Sequence, residues 1–390
     1  MSGVVVPAGA GPAWAGASIG RRPELDAMRG IAAFMVLIEH AQQIVPPITT
    51  PDLPGLGFLR WAVFEHSPLR ILEYGRGAVL FFFVLSGYVL TRALLRSGSP
   101  GLVAFAAQRT VRLMLPVAAS VLLSVLLYAL FFDAALLPEL RDRTLVTWLD
   151  PPTIRQIIGN ALLISPTEEM RLNIPLWSLV HEWRLTVLLP LVLLLRGRPL
   201  ALLVLAALAM LAGKALGSVE NSIQLGDALR GSIASTLYFT LAVGSGVVLA
   251  MLPPIAVPDR RQQWLLLILA AICFSMASDV ATYAGSLILI VVAEQEGGFQ
   301  RLLRTAPLVW LGRISFSLYL VHVPVLISCA YAFHGDLDPV AIAMIGTALC
   351  LPAAALMRIA VEEPSRRLAR VVERRLAVPD SAAAARQGAA

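Results

Sequence analysis

Apolar residues along this chain come in blocks of about 20, set apart by short segments rich in arginine, proline or acids. A half-buried strand would alternate with period two, and a surface helix would repeat its apolar positions every three to four residues. Blocks of this length instead match helices crossing the roughly 30 Å hydrocarbon core of a bilayer. Ten of them lie near 27–45, 77–95, 111–132, 174–195, 199–217, 233–253, 262–278, 280–294, 306–330 and 339–361. Only Ser278-Asp279 separates the seventh from the eighth, so nine or eleven spans fit the same pattern. Residues 154–165 are amphipathic and too short to cross, which predicts an interfacial or re-entrant segment. The predicted fold class is all-α: a polytopic membrane bundle of about ten transmembrane helices.

Composition supports the bilayer reading and adds an orientation. Of 390 residues, 58% are hydrophobic and 14% charged, whereas about a quarter are charged in an ordinary soluble domain. The loop 133–173 carries six acids against four arginines, while Arg366, Arg367, Arg370, Arg374 and Arg375 follow the last span. Basic residues stay on the cytoplasmic side of a span, so both termini are placed in the cytoplasm and the chain in the inner (plasma) membrane. The net charge of +6 then reflects that asymmetry, with anionic membrane lipid as its partner and no nucleic acid. All but one of the basic residues are arginine, and alanine is abundant, which fits a GC-rich bacterial genome.

Residues 1–20 carry no charge and lack a cleavable-signal pattern, so they read as a disordered N-terminal segment. One transmembrane domain follows over 21–368, and then a tail, 369–390, that is basic at first and disordered beyond. Cys273, Cys329 and Cys350 lie in apolar spans without ligand spacing, so neither disulfide nor metal is expected.

Ionisable residues inside apolar spans are costly, and each calls for a partner or a task. In the first span, Arg29 and His40 stand eleven apart. That is close to three helical turns, so they share a face with about 16 Å of rise between them. The arginine sits at the membrane edge and the imidazole deep inside, next to Glu39. Asp26, three residues before Arg29, reads as a salt-bridged helix start.

The fourth span opens with Trp177-Ser178-Leu179-Val180-His181-Glu182-Trp183-Arg184. Counted inward from the outer surface, Glu182 reaches roughly the depth of His40, where a carboxylate can orient an imidazole. An interfacial network of Glu182 with Arg184, or of His181 with an arginine, is the structural alternative. Leu185 occupies the place where a zinc-binding H-E-x-x-H motif needs its second histidine.

Arg109 and Arg112 lead into the third span on one helix face. They can grip phosphates as bidentate forks, or simply anchor the cytoplasmic edge. In the ninth span Ser315, Tyr319 and His322 fall at i, i+4 and i+7, a polar stripe that either bonds between helices or lines a substrate path. His66 and His334 fall in outer loops and read as solvated. No Walker loop is present.

At these residues the chain resembles acyltransferase family 3, a family of integral membrane O-acyltransferases. The matching segments are Leu25-Asp26-Ala27-Met28-Arg29-Gly30 with His40, Phe82-Phe83-Val84-Leu85-Ser86-Gly87-Tyr88, and Arg109-x-x-Arg112-x-x-Leu115-Pro116. They continue with Trp177-Ser178-Leu179-x-x-Glu182, Ile314 to His322, and Val361-Glu362-Glu363-Pro364. They keep the family's order from about residue 22 to 368. Val180-His181 and Trp183-Arg184 depart from the apolar and aromatic residues common around that glutamate.

The resemblance implies a ten-helix domain that moves an acyl group, often acetyl, from cytoplasmic acyl-CoA to a hydroxyl of a carbohydrate, cell-envelope glycan or glycosylated metabolite. Acyl-CoA is then a co-substrate, and no cofactor stays bound. The family's arginine–histidine motif maps onto Arg29 and His40, its R-x-x-R motif onto Arg109 and Arg112, and its tryptophan–glutamate segment onto Trp177 and Glu182. His40 is expected to act as base or acyl carrier with Glu182 orienting it, and Arg109 and Arg112 to hold acyl-CoA. Glu39, Trp177, Ser178, His181, Ser315, Tyr319 and His322 are expected to line the pocket. The rival from another class is a proton-coupled transporter or flippase without chemistry, since buried His, Glu and Arg also build proton relays.

Overall fold

Every regular element among the described residues is helical. Hydrocarbon offers the backbone no partner, so its N–H and C=O groups must pair within each helix. The structure is a computed structural model, and it describes residues 22–44, 74–97, 101–140, 147–164, 167–217, 229–276 and 278–377.

The main helices in chain order are α1 (Pro23–Gln42), α2 (Gly75–Ser97), α3 (Leu102–Phe131), α4 (Ile154–Ala161), α5 (Leu176–Val187) and α6 (Pro199–Ala215). After them come α7 (Leu229–Tyr238), α8 (Thr240–Met251), α9 (Arg260–Ser275), α10 (Asp279–Ala293), α11 (Ala306–Ala332), α12 (Pro339–Met357) and α13 (Glu363–Leu376).

Among the described residues each predicted apolar block is largely helical, but fewer than ten helices are long and apolar enough to cross unaided. Among the described residues five helices pass by length and composition: α2, α3, α7 with α8, α11, and α12 with its extension. A sixth passes if α5 is joined to Leu189–Leu195, which is bent from it by 43°. Pro190 explains that bend, because it has no N–H to continue the ladder and its ring crowds the preceding turn. Helices α6 and α10 are apolar but shorter, and the break predicted at Ser278-Asp279 falls between α9 and α10. Leucines and valines stand outward along α3, α6 and α12, among them Leu122, Leu126, Leu130, Leu200, Val204 and Leu349. Such faces suit lipid rather than water, and the chain is a membrane protein.

The amphipathic segment near 154–165 forms the two-turn helix α4, closed at its start by a Thr153–Gln156 capping box. At the other end of the chain, α12 runs through a widened π turn at Arg358–Glu362 into α13. Pro364 lacks the N–H that a regular turn would donate there, which accounts for the widening. The basic part of the tail is therefore an amphipathic helix as far as Leu376, packed along α3. The segments expected to be disordered, 1–20 and the end of the tail, lie outside the described residues.

Helix α11 is the centre of the bundle and is enclosed nearly along its whole length. It packs on α1, α3 and α12. Small residues allow the closest of these approaches, as is usual where no hydrophobic force drives helices together.

Candidate active site

Helices α1 and α11 run parallel from a contact between Gly30 and Gly312. His40 ends up beside His322, with Nδ1 of His40 2.9 Å from Nε2 of His322 and ring centroids 5.0 Å apart. The other nitrogen of His322, Nδ1, donates to the Leu318 carbonyl at 3.1 Å. His322 is sealed off completely, whereas His40 is only half-buried.

Below this pair, toward the Arg29 end of α1, lies a cavity of about 920 Å³, counting its open mouth. Its charged lining is Asp26, Arg29, Arg109, Arg112, Glu182, Glu362 and Arg366. Phe82, Ser178, Ser315 and Tyr319 also line it. The Tyr319 ring lies 5.7 Å from the His322 ring and meets Phe82 edge to face at 5.9 Å. Its hydroxyl is 2.7 Å from that of Ser178 and donates to the Pro175 carbonyl at 3.1 Å. Tyr319 thus separates the cavity from the histidine pair.

Charges along the cavity are not equally committed. Arg109 donates to Glu182 at 2.7 Å and to the Thr186 hydroxyl at 2.5 Å, and it is buried. Glu182 also accepts from Ser86 at 2.8 Å. Arg366 pairs with the buried Glu362, which accepts from Ser317 at 2.6 Å. Arg29 and Arg112 line the same cavity, and neither has a side-chain hydrogen bond or ion pair among the described residues. Two guanidiniums are therefore free to bind an anion as planar forks.

The geometry corrects one expectation directly. Glu182 does not orient His40; it neutralises Arg109, and His322 is the partner of His40. The depth count placed the start of α5 at the outer surface, but Pro175 already lies at the level of Tyr319, in the middle of α11. Glu182, seven residues further along, therefore sits about 10 Å beyond that level, near the arginines.

Of the residues expected to line the pocket, Ser178, Ser315 and Tyr319 do so. Trp177 and His181 turn instead toward Phe239, and His181 Nδ1 is 2.9 Å from the Thr236 hydroxyl. Glu39 lies against Gly75 at the start of α2, and His322 stands behind Tyr319. His334 is not a free solvated ring, since its Nε2 is 2.6 Å from Glu139; His66 lies outside the described residues. Ser86, Glu362 and Arg366 were missed as site residues. The Val361-Glu362-Glu363-Pro364 segment was the signal for Glu362, because a carboxylate at the end of a span calls for a cation.

Among the described residues no group of histidines, cysteines and carboxylates is arranged to hold a metal ion. A family model described as an acyltransferase domain matches residues 22–359. No curated protein and no solved structure matches the chain.

Proposed function

We propose, for a chain that belongs to acyltransferase family 3 by its match over residues 22–359, that it is an O-acyltransferase using cytoplasmic acyl-CoA. The acyl group is acetyl in the simplest case, and the acceptor is a hydroxyl of a carbohydrate, cell-envelope glycan or glycosylated metabolite. One observation carries this reading: a cavity with two uncommitted guanidiniums, Arg29 and Arg112, closes at Tyr319 next to the His40–His322 pair. That layout suits a long ligand with phosphates at one end and a reactive carbonyl at the other.

In this reading the phosphates of acyl-CoA rest on Arg29 and Arg112, while Arg109 keeps Glu182 in place and holds the cavity wall. The thioester passes the Tyr319–Ser178 pair to reach His40. His40 takes the proton of the acceptor hydroxyl as that oxygen attacks the thioester carbonyl, so a C–O bond forms and the C–S bond breaks. The imidazolium then returns the proton to the departing thiolate, which leaves as free CoA thiol. The products are the ester and CoA, and His40 ends neutral.

Thiol release by purified wild-type and His40→Ala protein tests this, with acetyl-CoA, longer acyl-CoAs and candidate hydroxyl acceptors. The expected result is release that requires both the acceptor and His40. Folded protein that releases no thiol from any donor would overturn acyl transfer and favour transport without chemistry.

A further inference from the structure

We propose that His322 is a positioning residue that fixes the tautomer of His40 and leaves His40 Nε2 as the atom that accepts the proton. The catalytic half of this proposal rests on the acyl-transfer reading of the same site.

A backbone carbonyl can only accept. The contact between His322 Nδ1 and the Leu318 carbonyl at 3.1 Å therefore puts the hydrogen of His322 on Nδ1. In a neutral imidazole the other nitrogen then carries a lone pair. That nitrogen, Nε2, is 2.9 Å from His40 Nδ1, so His40 Nδ1–H is the donor of the bond between the rings. His40 Nε2 is left without a hydrogen. It has no hydrogen-bond partner among the described residues, and His40 is the less buried member of the pair.

Histidine in water prefers its hydrogen on Nε2, so an unassisted His40 would mostly present a donor where the reaction needs a base. His322 reverses that preference without touching substrate. It is fully enclosed, and the Tyr319 ring beside it limits its rotation. When His40 becomes an imidazolium, its Nδ1–H still points at the His322 lone pair, now as a charge-assisted bond that holds the ring in line. A second group fixing the tautomer of a catalytic imidazole is worth orders of magnitude in rate where it has been removed elsewhere.

Two measurements test the assignment. Spectra of protein labelled with 15N-histidine read the tautomer directly, with the His40 signals identified by their loss in His40→Asn. The wild type is expected to show His40 with Nδ1 protonated and Nε2 bare, and His322→Leu to show a shift toward Nε2–H. In steady-state kinetics, His322→Leu is expected to lower kcat about 100-fold while leaving KM for acetyl-CoA within about twofold. His322→Gln, whose amide oxygen can accept from His40 Nδ1–H, is expected to recover at least about tenfold of that loss.

A wild-type spectrum with the His40 hydrogen on Nε2 overturns the proposal, and so does wild-type kcat in His322→Leu. Normal turnover by His40→Ala with the expected spectra separates the two halves: it supports the tautomer assignment and overturns the acyl-transfer role of His40.

Discussion

Gly30 and Gly312 meet backbone to backbone, so closely that a Cβ on Gly30 would lie 2.5 Å from the Gly312 nitrogen. Each glycine stands ten residues before the histidine that its helix contributes. Because α1 and α11 run parallel from this contact, equal rises of about 15 Å bring His40 and His322 to one height. The 2.9 Å contact between the rings follows from that register. Small residues at the crossing thus position the chemistry as well as the fold.

Substituting valine at Gly312 must push α1 and α11 apart, since its Cβ would meet the Asp26 carbonyl rather than a movable side chain. Overpacking of this kind costs about 1–3 kcal/mol. Gly312→Val is expected to lower Tm in detergent by several degrees and to abolish turnover even in the fraction that stays folded. Gly197→Ala, where nothing lies within 4 Å of the added carbon, is the control and should change neither. Full activity in Gly312→Val would show that the spacing of the histidines does not matter.

The pairing of Arg109 with Glu182 makes a second prediction, one of stability. Both side chains are largely withdrawn from solvent, and removing one partner of a buried pair leaves a charge without compensation, at a cost of about 3–5 kcal/mol. Arg109→Met and Glu182→Leu are each expected to be severely destabilising. The double variant should be closer to wild type than the sum of the two, as read by thermal unfolding in a double-mutant cycle. Additive losses would mean that the two side chains do not depend on each other.

How much of this was legible in the sequence depends on which residues are asked about. Arg29 and His40 could be placed on one face because helical periodicity is local, and both stand on the helix the pattern predicts. That His40 would meet His322 could not be read, because the partner is set by a helix crossing between residues 282 positions apart. Glu182 was misplaced for a related reason. Hydropathy marks where an apolar run begins, not how deep in the bundle it begins, and α5 starts at the level of Tyr319. The arginines after Val361 read as a charged tail, yet Ser365 and Ala369 bury one face of α13 in a period the charge count hides.

Arg29 and Arg112 should behave differently from Arg109 when acyl-CoA is varied. A charge-assisted hydrogen bond is worth about 1.5–3 kcal/mol, and each 1.4 kcal/mol is tenfold in affinity. Arg112→Ala is expected to raise KM for acetyl-CoA by about tenfold or more with little change in kcat. The same variant should lose no discrimination among acceptors, because the acceptor hydroxyl is met at His40. A fall in kcat at constant KM would remove phosphate binding from Arg112.

Tyr319 closes the cavity, so its size should limit which acyl chains reach His40. Its ring fills the space between Phe82 and His322, and its hydroxyl is held by Ser178 and the Pro175 carbonyl. Tyr319→Phe removes only those hydrogen bonds, and a typical one contributes about 0.5–1.5 kcal/mol. It is expected to lower Tm slightly and to leave the order of preference among acyl donors unchanged. Tyr319→Ala removes the ring and joins the cavity to the histidine pair, at a cost of about 3–5 kcal/mol if the space stays empty. A longer acyl chain can occupy that space. The ratio of kcat/KM for octanoyl-CoA over acetyl-CoA should therefore rise by tenfold or more in Tyr319→Ala relative to wild type. An unchanged ratio, in protein shown to be folded, would place the route of the acyl chain elsewhere than past Tyr319.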